Sequence, residues 1–228
     1  MCGRYSLTTP PEAMRRLFGL EATPNLPPRY NIAPTQLAPV VRLVPGAGKR
    51  TLTQLRWGLV PPWAKDLKVG AQLINARGET VHEKPSFRAA FRQRRCLVVA
   101  DGFYEWKTDG KSKHPMRITL SDDGPFAFAG LWEHFEKGPE GPLESFTIIT
   151  TEAAAVIAPI HDRMPVILDV TDYDQWLDPA SKPEPLSALL RSFPSERLRA
   201  YAVSTHVNSV RHDDEACIAP LAEPRKLL

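Results

Sequence analysis

The chain has 228 residues, 43% of them hydrophobic, and a formal net charge of +3. That length can bury a sizeable core, no break in composition divides it, and one domain over 1–228 is expected; the mild basicity permits a polyanionic partner without arguing for one. No stretch is apolar enough to span a bilayer and the first residues lack the features of a signal peptide, so a cytoplasmic protein is expected; three cysteines without paired spacing, Cys2, Cys96 and Cys217, give no support to a disulfide framework or a C-x-x-C zinc site.

Cys2 stands directly behind the initiator Met1, and its small side chain favours trimming of that methionine. The new terminus would carry an α-amine with a reference pKa of roughly 7.7–8.0 and, on the adjacent carbon, a thiol near about 8.5. Such a 1,2-aminothiol condenses with an aldehyde, first as an imine and then as a closed thiazolidine ring. The plain alternative is a small terminal residue with no role.

Thr9-Pro10-Pro11-Glu12 predicts a helix start, with Thr9 as cap, Pro10 at the first helical position and Glu12 completing a capping box. Met14, Leu17 and Phe18 fall on one face, and Gly19 stops the helix. A polar loop over 29–36 leads to a strand over 37–44, which Pro45-Gly46-Ala47-Gly48 turns into a second over 51–57. The stretch from Trp57 to Lys65 breaks both periodicities. Trp57, at a strand end, reads as core; Trp63, between Pro62 and Ala64 and beside Lys65, is either core or a stacking surface for a nucleic-acid base.

In Ile74-Asn75-Ala76-Arg77-Gly78-Glu79-Thr80, Asn75 offers neutral donors and an acceptor and Arg77 a rigid fork for phosphate, although an ordinary turn fits equally. A helix over 86–93 precedes Arg92, Arg94 and Arg95, a mainly structural cluster. The apolar run 96–100 predicts a buried strand with Cys96 inert in it. In Asp101-Gly102-Phe103-Tyr104-Glu105-Trp106, alternation sets Phe103 and Glu105 on one face, which makes Glu105 either a desolvated general acid or a partner of a surface cation.

Strands follow over 116–120, 126–131 and 145–150, then an Ala-rich helix over 152–157. The latter delivers Ile160-His161-Asp162-Arg163-Met164-Pro165, where His161 is a proton carrier or an ordinary structural histidine. A strand over 166–168, a helix over 171–177 with Thr171 and Asp174 in capping-box register, a short helix within 183–194 and a strand over 200–204 complete the chain. The sum is an α+β domain of mainly antiparallel, barrel-like β-sheets with short peripheral helices. No spacing argues for a metal, and no cofactor is expected.

Met-Cys-Gly-Arg-Tyr at 1–5, Arg-Tyr-Asn-Ile-Ala-Pro-Thr-Gln at 29–36, Trp-Gly-Leu-Val-Pro-Pro-Trp at 57–63, Asn-Ala-Arg-Gly-Glu-Thr at 75–80, Asp-Gly-Phe-Tyr-Glu-Trp at 101–106, Ile-His-Asp-Arg-Met-Pro at 160–165 and Ser-Thr-His-Val-Asn at 204–208 together resemble the SRAP family, the SOS response-associated peptidases. The resemblance implies a monomer that crosslinks itself to abasic sites in single-stranded DNA during the DNA damage response. In that scheme Cys2 closes a thiazolidine on the ring-opened sugar aldehyde, and Asn75, Glu105 and His161 occupy the other catalytic positions. Arg4 and Arg77 would meet flanking phosphates, Asn31 and Pro34 would line the site, and Trp63 would wedge against bases. Gly78 departs from the family pattern, which more often has a side chain there. Lyase-type and autoproteolytic chemistry also fall within the implied repertoire. Two other functions compete: an N-terminal-nucleophile cysteine peptidase, and a non-catalytic single-strand binding module in which Cys2 is incidental.

Overall fold

The computed structural model describes residues 2–43, 48–139 and 141–221. In chain order the elements are β1 (Tyr5–Leu7), α1 (Pro11–Phe18), β2 (Arg29–Ile32), β3 (Leu37–Leu43), β4 (Arg50–Trp57), β5 (Asn75–Arg77), α2 (Arg88–Gln93), β6 (Arg95–Ala100), β7 (Gly102–Asp109) and β8 (Ser112–Leu120). They continue with β9 (Phe126–Phe135), β10 (Leu143–Glu152), β11 (Arg163–Pro165), β12 (Ile167–Leu168), α3 (Tyr173–Leu177), α4 (Pro183–Ala188) and β13 (Leu198–Ala202), with short 3-10 turns between them.

Because β10 pairs with both β9 and β4, the strands β4-β3-β6-β9-β10 close into a ring, and the expected barrel is present. All of its pairings are antiparallel except β10 with β4. Beyond the ring, the far half of β10 is flanked by β5, in parallel, and by β11. A second, antiparallel sheet runs β13-β8-β7-β1-β2. It packs on the barrel through Tyr5 and Phe103, which are directly opposite each other in the β1–β7 ladder. The Tyr5 ring meets Trp57 at 5.2 Å and Phe128 at 5.9 Å, while Phe103 meets Phe128 at 5.8 Å, all edge-on. Each such fully buried aromatic contributes about 2–3 kcal/mol of hydrophobic stabilisation.

Alternation on β7 is as expected. Phe103 joins this main core, whereas Tyr104 and Trp106 face a smaller cluster with Val203, Val207 and Cys217. Trp57 and Cys96 are fully buried, also as expected. The loop after Trp57 needs glycine at 58, where φ is +116° and a Cβ would lie 2.6 Å from the Gly70 carbonyl oxygen.

Four local expectations fail for identifiable reasons. Thr9 does not cap α1, because the cap residue is Pro10 and the helix starts at Pro11, one position later than expected; the Thr9 N–H and hydroxyl, with those of Thr8, go to the buried Asp101 carboxylate, which also accepts from Ser6 and Arg117. Glu12 closes no box and pairs instead with Arg15. The Ala-rich stretch 152–157 is no helix: β10 continues through Glu152, and a run of turns follows, with Ala153 N–H bonded to the Asp162 carbonyl at 3.0 Å. Asp174 forms no capping box with Thr171, because its carboxylate accepts from Arg50 at 2.6 Å. The turn expected at 45–48 falls largely outside the described residues. Among the described residues no helix is long and apolar enough to cross a membrane.

Candidate active site

Cys2 leads into β1 and is fully buried, its Sγ 3.9 Å from the Arg4 carbonyl oxygen. The register that sets Tyr5 opposite Phe103 carries the chain just after Cys2 alongside Glu105, and Tyr104 N–H donates to the Arg4 carbonyl at 2.9 Å. Burial pushes the Cys2 thiol well above its ordinary pKa, and the charge of Glu105 adds to the rise. A free terminal cysteine would have a usable thiolate fraction near neutrality; this one is held as the thiol. Glu105 is itself buried, and desolvation raises its carboxyl above the usual carboxylate range, against the opposing pull of His161.

His161 enters from the loop ahead of β11. Its Nδ1 lies 2.9 Å from the Arg163 backbone N–H, which donates to it, and 2.9 Å from Asp162 Oδ1. Arg163 fixes this loop from outside, donating to Glu79 at 2.6 and 2.9 Å and to the Thr150 carbonyl at 2.7 Å.

Asn75 sits on β5, opposite Ile148 of β10. Its Nδ2 donates to the Ile74 carbonyl at 2.9 Å, while Oδ1 is buried with no hydrogen-bond partner among the described residues. An unsatisfied buried acceptor costs about 1–3 kcal/mol, and here it is available to a ligand's donor. Arg77 is two residues further along the same strand and therefore on the same face, exposed. Gly78 donates to the Thr150 carbonyl at 2.8 Å, and a Cβ there would come within 3.3 Å of Leu190, so the turn after Arg77 is fixed despite its glycine.

Glu105 thus acts electrostatically on Cys2 and is itself acted on by His161, with Asn75 on a strand flanking β10 on the side away from β11. Two expected DNA contacts look different. Asn31 is fully buried, its Nδ2 donating to the carbonyls of Val207, Ser209 and His212. Its Oδ1 accepts from Arg4 at 2.7 Å, and the same Arg4 nitrogen donates to the Val207 carbonyl at 2.8 Å. These two side chains tie the start of the chain to the 204–217 segment. Pro34 is half-buried beside Thr35, whose φ of 73° is strained for a β-branched residue, and Trp63 is 63% exposed.

The sequence matches the family described as SOS response associated peptidase (SRAP) over residues 1–210. The chain belongs to the SRAP family. It is 42% identical over 225 residues to the abasic site processing protein YoqW of Bacillus subtilis, covering 96% of this chain and 99% of that one. It is 35% identical to the abasic site processing protein HMCES of Gallus gallus, over 85% of this chain and 66% of the relative. A crystal structure of a Bacteroides thetaiotaomicron protein superposes with a TM-score of 0.86 at 25% identity, covering 97% of this chain and all of that one.

Within this SRAP chain, sequence reasoning gave no role to Arg163, Glu79 or Thr150, which clamp the His161 loop, or to Asp101 and Arg117, which hold β1 against β7. Arg163 and Asp101 lie inside the quoted motifs, but their partners are distant in sequence. The expected loss of Met1 lies outside the described residues.

Proposed function

We propose that this protein processes abasic sites in single-stranded DNA by crosslinking to them through Cys2. The observation that carries the proposal is a buried Cys2 thiol beside a buried Glu105 that is in turn coupled to His161. The names of the relatives, abasic site processing proteins, point to the same lesion.

A proton from His161 or Glu105 reaches the ring oxygen of the closed sugar as its hydroxyl proton leaves, which frees the aldehyde. With Met1 gone, the Cys2 amine adds to that carbon, and protonation of the carbinolamine expels water to leave a protonated imine, whose N–H stays on the nitrogen. The thiol then adds to the imine carbon; its sulfur forms the new bond, its proton passes to a base, and the nitrogen ends as a ring amine. Glu105 suits both halves of this cycle, because a carboxyl with a raised pKa can release a proton for dehydration and recover one from a thiol that burial keeps protonated. Asn75 Oδ1 would accept from the amine or a sugar hydroxyl. Arg77 would meet a flanking phosphate, and the exposed Trp63 would stack on a base. Pro34 would line the rim, while Arg4 and Asn31 would act by fixing the strand that carries Cys2.

A denaturing gel of the protein with abasic single-stranded DNA tests this. A heat-stable adduct should form with the native chain, and Cys2→Ala should bind the DNA without forming it. An adduct of unchanged yield in that variant would overturn the proposal, and a peptidase would instead be revealed by cleavage of a peptide library.

A further inference from the structure

Away from the proposed active site, the 204–217 segment brings together three side chains of ligating chemistry. His206, Asp214 and Cys217 present one donor atom each, all within 4.8 Å of one another. Local geometry holds each in place. Asp214 precedes the 3-10 turn Glu215–Cys217, and one of its oxygens accepts from Ala216 N–H at 3.0 Å, so the other is turned to His206 Nε2 at 2.9 Å. Cys217 stands three residues after Asp214, where a 3-10 turn superimposes side chains on one side. The His206 ring is fixed by stacking on His212 at 3.7 Å and 5°, and His212 Nδ1 lies 2.7 Å from the His206 carbonyl. Cys217 is fully buried with its Sγ 3.5 Å from the His212 carbonyl, which leaves the half-exposed His206 and the exposed Asp214 as the open side.

We infer that His206, Asp214 and Cys217 bind one divalent cation of the zinc class. One imidazole nitrogen, one carboxylate and one thiolate form a charge-balanced set of the donors zinc takes at about 2.0–2.3 Å, with solvent completing a tetrahedron. Binding requires the donor atoms to draw together around the ion and releases the Cys217 proton to solvent. The consequence reaches the N-terminal strand. The ion would staple both ends of a segment whose carbonyls, at Val207, Ser209 and His212, hold Asn31 and Arg4. Its place is then structural, and its binding can be measured whether or not the crosslinking proposal holds.

The test uses the full chain after chelator treatment, titrated with Zn²⁺ by calorimetry and with Co²⁺ by absorption. One equivalent of Zn²⁺ should bind and raise Tm, and Co²⁺ should give a thiolate-to-metal charge-transfer band. Both should be lost in Cys217→Ser and in His206→Asn, the second at a half-exposed position, and both should persist in Cys2→Ala. No binding at micromolar Zn²⁺, a band retained in Cys217→Ser, or a band lost in Cys2→Ala would overturn the assignment.

Discussion

Cys2 and Cys96 are both fully buried, and burial raises both thiols, yet their surroundings differ in kind. Cys96 lies in the barrel wall on β6, opposite Gly130, where an added Cβ would sit 2.8 Å from its Sγ; apolar neighbours enclose it and Arg42 is the charge that acts on it. Cys2 lies where the β1–β7 ladder ends, beside a carboxyl that burial has made a stronger proton holder, with His161 within reach of that carboxyl. Burial alone therefore makes an inert thiol. What separates the two regions is a neighbouring group able to give and take protons, and a position at the start of the chain where an amine can share the work.

The largest expected effect is the sharpest test of this contrast. Cys2→Ala should abolish the adduct, while Cys96→Ala should leave its yield unchanged and lower stability by about 1 kcal/mol, read from denaturant melts and gels in parallel. Next, Glu105→Gln should slow adduct formation by about 10²- to 10⁴-fold, as removal of a general acid does. The raised pKa of Glu105 fixes the sign of the pH effect. The native rate should fall as pH rises through that pKa and the carboxyl loses its proton, and the variant should lose this limb. The folded state binds the Glu105 proton more tightly than the unfolded chain does, so burial of this group costs stability as pH rises from the unfolded value through the folded one. The Tm of Glu105→Gln should then exceed the native value at pH 7, with the gap closing below about pH 4.

A smaller loss is expected for Arg163→Ala, which frees the His161 loop from Glu79 and Thr150: about tenfold in rate, with DNA affinity unchanged by fluorescence anisotropy. Trp63→Ala should weaken binding by about 1–3 kcal/mol without altering Tm, because the ring is exposed. If Trp63→Ala abolished the adduct at saturating DNA, the division between the proton-handling centre and the binding rim would fail.

Legibility followed the range of the interactions. Alternation alone separated Phe103 from Tyr104 and Trp106 on β7, since that depends only on neighbouring residues. Apolar runs located the barrel strands for the same reason. The Ala-rich stretch after Glu152 misled because helix propensity is weak beside the pairing of β10 with β11, which continues through Glu152. Thr9 misled because the oxygen that satisfies its N–H belongs to Asp101, far along the chain. Arg4 and Asn31 read as groups free to meet DNA, yet their partners lie on a segment near the other end of the sequence. The protonation of Cys2 was equally invisible, because it depends on what surrounds the thiol after folding.

The central claim is that the Cys2 amine and thiol act together on one aldehyde carbon. The most direct measurement is mass mapping of peptides from an adduct formed with abasic single-stranded DNA in the absence of any reductant. The account predicts a heat-stable product on a peptide that begins at Cys2, with the mass of peptide plus sugar fragment less one water. An adduct that needs borohydride to survive, or one that maps to a lysine or to Cys96, would contradict it.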